Sequence, residues 1–490
     1  MHIVHTLPRA MLAAVRRLCA VSRPVHPETA AALRRRWAEL PASARTPAQS
    51  LGRHAVGCEG THGVFPRCDL TCSPCYHSAE ANKVRTDGAH TAAAVERQMR
   101  LLRRVRGPRA HAQLIGGEVT LLDPEDHAAT LRIMRGYGRE PMSMTHGDVG
   151  YDYLRRLAIG PDGRRRMRRL SFAGHFDMLM RGRRGRPRPR SEAELNPYRE
   201  RFCAMFAQLR REYGVHYYLA HNMTVTPANV GQLAEVIRGC RWMGFSMFSF
   251  QPAAHVGDPR RWREDYRELG ADEVLAQIER GAGTRLPWRA VQLGDERCNR
   301  TAFGFLLGDR WIALMDERSP EDLAARDACY RWLGGMSFSG APAALTLLRL
   351  ARAALIHPRL VVVMLRWARG VLRRCGGTRL LLRALRRREL RPLTFVMHRF
   401  MHADEVAPAW QALREGRPPT DPAMHATQQR LRACSYTMAH PETGELVPAC
   451  VQHSVLDPEE NTELRRLLPR LLPRLLPIVD IRNTGGQHAR

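Results

Sequence analysis

Three cysteines, Cys68, Cys72 and Cys75, stand in the stretch from Arg67 to His77 at the spacing C-x3-C-x2-C. Three thiolates on one short loop can each hold one iron of a 4Fe-4S cube, which leaves the fourth iron without a protein ligand and open to a chelating small molecule. The same triplet could instead form a zinc clip completed by a distant fourth ligand. Further along, the run Ala112 to Leu121 is an apolar strand that breaks at Gly116 and Gly117 and is followed by Glu118. A carboxylate beside glycines, which let backbone carbonyls come close, is a compact set of acceptors for an ammonium group. Alone, Gly-Gly-Glu is also what a turn after any strand looks like.

Taken together, the two motifs resemble the radical SAM superfamily. The resemblance implies an α/β fold, a partial (β/α)6 barrel in which the cluster loop follows the first strand and a Gly-Gly-Glu-Pro loop follows the second. Here Val119 stands where that loop usually has proline. It implies that Cys68, Cys72 and Cys75 bind a 4Fe-4S cluster and that Gly116, Gly117 and Glu118 hold the methionine amino group of S-adenosylmethionine. Tyr76 would lie against the adenine and Ser171 would touch the ribose. In that chemistry the reduced cluster passes one electron to the sulfonium, and the resulting 5'-deoxyadenosyl radical abstracts hydrogen from an unactivated C-H bond. The implied electron donor is a protein such as ferredoxin or flavodoxin.

The stretch from Phe400 through Cys434 and Tyr436 to Cys450 resembles the C-terminal region of tetraether lipid synthase-like radical SAM proteins. This implies a lipid or other hydrophobic substrate and an auxiliary iron-sulfur cluster, with Cys298, Cys434 and Cys450 as metal ligands and help from Cys58. Two short apolar segments around His440 to Gly444 read as a hairpin that would bring Cys434 and Cys450 together, as part of an auxiliary metal site or as a substrate-facing thiol pair.

The formal charge of +29 on 490 residues would ordinarily suggest nucleic acid or an anionic membrane surface. Lys83 is the single lysine, so nearly all the charge is arginine, which GC-rich coding explains better than a dedicated phosphate-binding surface. No RNA-binding signature with interleaved aromatics occurs, and nucleic acid is not an expected partner. Twelve cysteines at irregular spacing argue for a reducing cytosol rather than a disulfide framework. Met1 to Val21 carries Arg9, Arg16 and Arg17 through its apolar stretch, unlike a signal peptide. No run of eighteen apolar residues could span a bilayer. The expected location is cytoplasmic, with a peripheral position at the inner face of the membrane as an extension of that reading.

These residues must be positioned by alternating strands and helices, the sequence mark of βαβ units and a parallel sheet. The chain divides into an N-terminal helical segment (1–57), the partial barrel (58–257), an α+β extension (258–340), an amphipathic helical region (341–390), a cysteine-containing C-terminal domain (391–460) and a low-complexity tail (461–490). Six strands are expected, at about 63–67, 112–116, 142–145, 169–172, 216–220 and 245–250. His175 and Asp177 fall at the carboxyl end of strand four, where barrel enzymes place working groups, or else cap a loop. Cys58 reads as a buried thiol and His62 as a surface imidazole. The basic helices of 341–390 either lie in a membrane interface or pack their apolar stripe on the barrel. For the substrate a lipid or hydrophobic chain leads and a peptide follows. A basic zinc protein that binds nucleic acid without catalysis is the third reading.

Overall fold

Apolar strands that alternate with amphipathic helices bury both faces by lying parallel, with the helices connecting one carboxyl end to the next amino end. The computed structural model describes residues 9–72, 74–75, 82–181, 188–257, 262–338, 341–440 and 445–468. Its main sheet has ten strands: β1 (Cys58–Gly60), β2 (Ala110–Leu114), β3 (Arg139–Thr145), β4 (Arg169–His175), β5 (His216–Val225), β6 (Met247–Pro252), β7 (Asn299–Ala302), β8 (Thr394–His398), β9 (Tyr436–Ala439) and β10 (Leu446–Pro448). Their spatial order is β10-β9-β1-β2-β3-β4-β5-β6-β8-β7. All pairs from β9 through β8 are parallel, and only β10 and β7, one at each edge, run antiparallel.

The expected six units are therefore the centre of a larger sheet, because β8 and β9 extend it on either side. Their rings nearly meet. His398 at the end of β8 lies 6.2 Å from Tyr436 at the start of β9, and Phe400 lies 5.9 Å from His453, so the sheet curls until its two edges face each other across a seam.

Two N-terminal helices, α1 (Arg9–Val21) and α2 (Pro27–Glu39), precede the sheet. The strands are then connected by α3 (Gly88–Arg106), α4 (Pro124–Gly136), α5 (Tyr151–Ala158), α6 (Asn196–Tyr213) and α7 (Leu233–Cys240). The starts of these helices follow local chemistry. Asp87 accepts from His90 N at 2.9 Å, and Asp123, followed by Pro124, accepts from Glu125 N at 2.9 Å. Helix α6 ends at Gly214, whose φ of 66° suits glycine. The core between sheet and helices is aromatic, with Phe172 at 5.1 Å from Phe206 and Phe202 at 5.1 Å from Phe206. One buried ion pair crosses it, as the Arg139 guanidinium grips both Glu59 oxygens at 3.0 and 3.1 Å. Removing one partner of such a pair would cost roughly 3–5 kcal/mol.

Several boundaries differ from the expectation for physical reasons. The first strand is Cys58–Gly60 rather than 63–67, because the carbonyls of Phe65 and Arg67 are taken by Gly117 N and Glu118 N, which draws that segment out of the sheet. His62 is not a surface imidazole. It is buried, with Nδ1 at 2.9 Å from Glu460 and Nε2 against the Ala439 carbonyl. Helix α5 is short and was not anticipated by periodicity, and it inserts Leu154, Leu157 and Ala158 into the core.

After β6 come α8 (Ala271–Ala282), α9 (Pro320–Trp332), and three helices in series, α10 (Ala343–Ile356), α11 (Pro358–Arg374) and α12 (Thr378–Arg387). Ala353 and Leu360 pack with Ala328 and Leu333 of the α9 region. The outer side of α10 to α12 is apolar as well: Leu355 is 85%, Leu347 66% and Leu365 65% exposed. Helix α1 adds exposed Met11, Val15 and Leu18, and its end is tied to α10 where Arg349 Nε donates to Val21 O at 3.2 Å. Among the described residues no helix is long and apolar enough to cross a membrane. Toward its C-terminus come α13 (Ala403–Arg414), α14 (Pro422–Arg432), the β9–β10 hairpin and a last described helix, α15 (Asp457–Leu467), with Asn461 and Leu464 buried. The tail from 469 onward and the hairpin tip at 441–444 lie outside the described residues.

Candidate active site

The cysteine loop crosses the carboxyl end of the central strands and is fixed there by the Gly-Gly-Glu turn. Thr61 Oγ1 donates to Ile115 O at 2.8 Å, Gly117 N to Phe65 O at 2.8 Å and Glu118 N to Arg67 O at 2.8 Å. A side chain on either glycine would obstruct this contact. A Cβ at Gly116 would stand 2.7 Å from the Phe65 ring, and one at Gly117 would stand 2.1 Å from the Arg67 carbonyl. The paired glycines are thus demanded by the close approach of the cysteine loop. Beyond the loop's first cysteine, Thr71–Cys72 pairs antiparallel with Met180–Arg181, which ties its middle to the segment after β4.

The three thiols gather on this frame. A hydrogen bond with Cys75, reinforced by burial, pushes the Cys72 thiol well above its ordinary pKa. Burial pushes Cys68 up to about 12, against the opposing pull of the Leu70 N–H, which donates to its sulfur at 3.4 Å. A metal bound here would take these sulfurs as thiolates and release their protons. Beside Cys68, Asp69 and His146 bring a carboxylate oxygen and a ring nitrogen within 4.8 Å of the sulfur and of each other. The His146–Asp69 contact is 2.8 Å. Three soft sulfur donors from one loop fit three irons of a cube.

Glu118 is 1% exposed, and its carboxylate is held from several sides. Oε1 accepts from Thr120 N at 3.0 Å, Thr120 Oγ1 at 2.6 Å and Thr145 Oγ1 at 2.7 Å, while Oε2 accepts from His146 N at 2.7 Å. It therefore joins the turn after β2 to the end of β3. Asp69 and His146 are the members of this constellation that the sequence reading passed over. Their signal was the position of Asp69 directly after Cys68, and of His146 in the Thr-His-Gly that ends β3.

Strand alternation assigns the inner face of the curl. Ser143 bonds His127 of α4 at 2.8 Å, so Met142 and Met144 point inward. Phe172 packs on α6, so Ser171, Ala173 and His175 point inward. Ser171 lies buried on this face. At its rim His175 Nε2 pairs with Asp177 Oδ2 at 2.5 Å, and Thr224 Oγ1 lies 3.3 Å from the same ring nitrogen. Burial works to raise the Asp177 pKa, but His175 and the N–H groups of Thr224 and Leu179 outweigh it and hold the carboxyl below its usual range. The negative charge of Asp177 reaches Cys72, so the pair borders the cysteine loop. Tyr76 lies outside the described residues.

The remaining predicted cysteines also converge, at the seam. Cys58 begins β1 opposite Tyr436 of β9, and its N–H donates to Ser435 O at 2.7 Å. Cys434 precedes β9, and Cys450 follows β10 beside it. Cys298 precedes β7 and is reached by Arg430 of α14, whose Nε lies 3.2 Å from its sulfur. Burial pushes Cys58 and Cys298 up to about 11 and raises Cys434 and Cys450 as well. Cys434 adds to the rise at each of the other three, and Cys298 adds to that at Cys450. None of the four is in a disulfide.

No family model and no curated protein matches the chain. Solved structures resemble parts of it. Native anSMEcpe with bound AdoMet is 14% identical, over 41% of this chain and 54% of that one, with a TM-score of 0.28. The anSMEcpe structure with AdoMet and the Cp18Cys peptide is 12% identical, over 46% and 58%, with a TM-score of 0.29. Coproporphyrinogen III oxidase (HemN) from Escherichia coli, described as a radical SAM enzyme, is 13% identical, over 58% and 60%, with a TM-score of 0.29. The chain spans little more than half the length of the anSMEcpe chains. What this protein can do is therefore judged from its own residues.

Proposed function

We propose that this protein is a radical SAM enzyme that acts on an apolar substrate at a membrane surface. The observation that carries this reading is the strapping of a three-thiol loop onto a Gly-Gly-Glu turn at the carboxyl mouth of a curled parallel sheet. Cys68, Cys72 and Cys75 would hold a 4Fe-4S cluster, and the Gly116–Glu118 turn and Ser171 would hold S-adenosylmethionine. When bound and reduced by an electron donor such as ferredoxin or flavodoxin, these groups supply a 5'-deoxyadenosyl radical able to take hydrogen from an unactivated carbon.

The protein's own part is positioning and exclusion. Glu118, fixed by Thr120, Thr145 and the His146 N–H, presents a buried carboxyl group at the turn, an acceptor suited to an ammonium group beside it. Met142 and Met144 give the inner face apolar surface that excludes water from a reactive intermediate. Support for an apolar substrate comes from α1 and α10 to α12, which expose leucines and valines among arginines, the composition of a surface that settles on anionic lipid.

Anaerobic reconstitution with S-adenosylmethionine and a reductant should yield 5'-deoxyadenosine. The protein should co-sediment with vesicles containing anionic lipid, and less so as salt rises. A protein that ignores vesicles at low salt, yet cleaves the cofactor faster when given a peptide, would move the substrate class to peptides. Stoichiometric zinc with no iron or sulfide would overturn the whole reading.

A further inference from the structure

We infer that a pocket on the outer face of β9 and β10 binds a small amphipathic anion, an oxyanion head on a short apolar body. The site stands outside the sheet, away from the Cys68 loop, and does not require the radical SAM reading.

The first ground is a gap in the helical layer. Tyr436 turns toward His398 across the seam, so by strand alternation Thr437 turns outward. Above Thr437 and Pro448, between the ends of α3 and α14 and the flank of α13, a cavity of about 250 Å3 remains, roofed by α2. Ordinary ligand pockets run from roughly 300 to 1,000 Å3, so the occupant is small.

The second ground is a surplus of cations at one side of this cavity. Arg36 and Arg106 line it from within, and Arg35 and Arg432 stand exposed at its rim. Glu39 is the one carboxylate among the described lining residues. Its side chain is 61% exposed, which weakens its 3.3 Å pairing with Arg36 Nη1. Glu59 lies 3.9 Å from Arg106, but both of its oxygens are already gripped by Arg139. Arg36 Nη2 is spent on the carbonyls of Arg432 and Cys434 at 3.0 and 2.8 Å, and its Nε is buried without a hydrogen-bond partner among the described residues. Burial lowers the Arg106 pKa, and Arg36 adds to that against the pull of Glu59. An anion seated between the two guanidiniums would relieve that repulsion.

The third ground is the opposite wall. Trp410 and Leu413, three residues apart on one face of α13, meet Leu431, Leu446, Val56 and Val105 there. Bare phosphate would leave this apolar surface unused, and a neutral apolar molecule would leave the arginines uncompensated. A molecule with both parts answers both walls, and guanidinium groups suit a carboxylate or a phosphate head alike.

The test is calorimetric titration of the full chain with hexyl phosphate, hexanoate, inorganic phosphate and 1-hexanol. At least one hexyl anion should bind, at about one per chain, and the tighter of the two names the head group. Inorganic phosphate and hexanol should each bind about tenfold more weakly or worse, since each lacks one half of the contact. Arg36→Gln should weaken the hexyl anion about tenfold, and Arg432→Glu at the exposed rim should weaken it to a lesser degree. Leu355→Asp, on the exposed apolar side of α10, should leave it unchanged. Absence of binding by both hexyl anions, equal binding of hexanol, or loss of binding in Leu355→Asp would overturn the site. So would full affinity in a folded Arg36→Gln protein; if that variant does not fold, full affinity in Arg432→Glu overturns it instead.

Discussion

The cysteine loop at the mouth and the cysteine set at the seam bring sulfurs together in opposite ways. The loop supplies three sulfurs from one short stretch, and its geometry is set by backbone contacts with a neighbouring glycine turn. The seam supplies four from stretches far apart in the chain, and its geometry is set by the curl of the whole sheet. One borders on titratable residues, Asp69, His146, His175 and Asp177. The other lies beside arginines. A cysteine group set by local spacing and one set by the curl of the sheet are therefore distinguishable by what surrounds them.

The sharpest way to separate the two is Gly117→Ala. Its new Cβ would stand 2.1 Å from a backbone carbonyl, which cannot step aside as a side chain can. Stability should fall by roughly 1–3 kcal/mol. Iron reconstituted at the loop should be lost, as metal analysis with EPR would show. Full iron at the loop of a folded Gly117→Ala protein would mean that the turn does not position the cysteines.

Next in size is Glu118→Gln. The substitution replaces one acceptor oxygen by an NH2 donor among four donors, Thr120 N–H and Oγ1, Thr145 Oγ1 and the His146 N–H, and should cost roughly 1.5–3 kcal/mol. Denaturant unfolding reads the structural share, and equilibrium binding of S-adenosylmethionine reads the rest. Lowered stability with unchanged affinity would confine Glu118 to the turn.

How far these regions could be read in the sequence follows from the same contrast. Cys68, Cys72, Cys75 and Gly116 to Glu118 were legible because each group is local, and the chemistry follows from spacing. The first strand was misplaced because apolar Val64 and Phe65 look like a strand, whereas the backbone of Phe65 and Arg67 is engaged by the glycine turn. Cys58 read as an ordinary buried thiol, since nothing in its neighbourhood shows that Cys434 will lie beside it. Likewise the hairpin around His440 to Gly444 was legible but not its partner in the sheet, β8 was not read as a strand, and only the assembled sheet shows that β8 and β9 flank the central six. His62 looked exposed for want of Glu460, which arrives from the chain's far end.

A smaller effect distinguishes the helix side of the sheet from either site. His127 is buried between Ser143 and Tyr153, and burial lowers its pKa to about 3. Folding thus favours the neutral ring. The stability it contributes is present above the unfolded value of about 6.5 and is lost as pH falls toward 3, at up to about 1.4 kcal/mol per pH unit. His127→Gln should flatten the dependence of the melting temperature on pH between about 6.5 and 4.5 without changing iron content. An unaltered slope would assign the acid sensitivity elsewhere.

The smallest expected effect is that of Arg430→Gln, which removes one positive charge beside Cys298. Losing that charge and its hydrogen bond should raise the Cys298 thiol further and slow its alkylation at a given pH, as thiol-labelling rates would reveal. An unchanged labelling rate would contradict the placement of Arg430.

The most direct measurement compares EPR spectra of the anaerobically reconstituted, dithionite-reduced protein before and after addition of S-adenosylmethionine. An open iron on Cys68, Cys72 and Cys75 predicts that one signal shifts on addition and that this shift disappears in the Cys68→Ala, Cys72→Ala, Cys75→Ala protein. A spectrum indifferent to S-adenosylmethionine, in a protein whose loop carries its full iron, would contradict the proposed function.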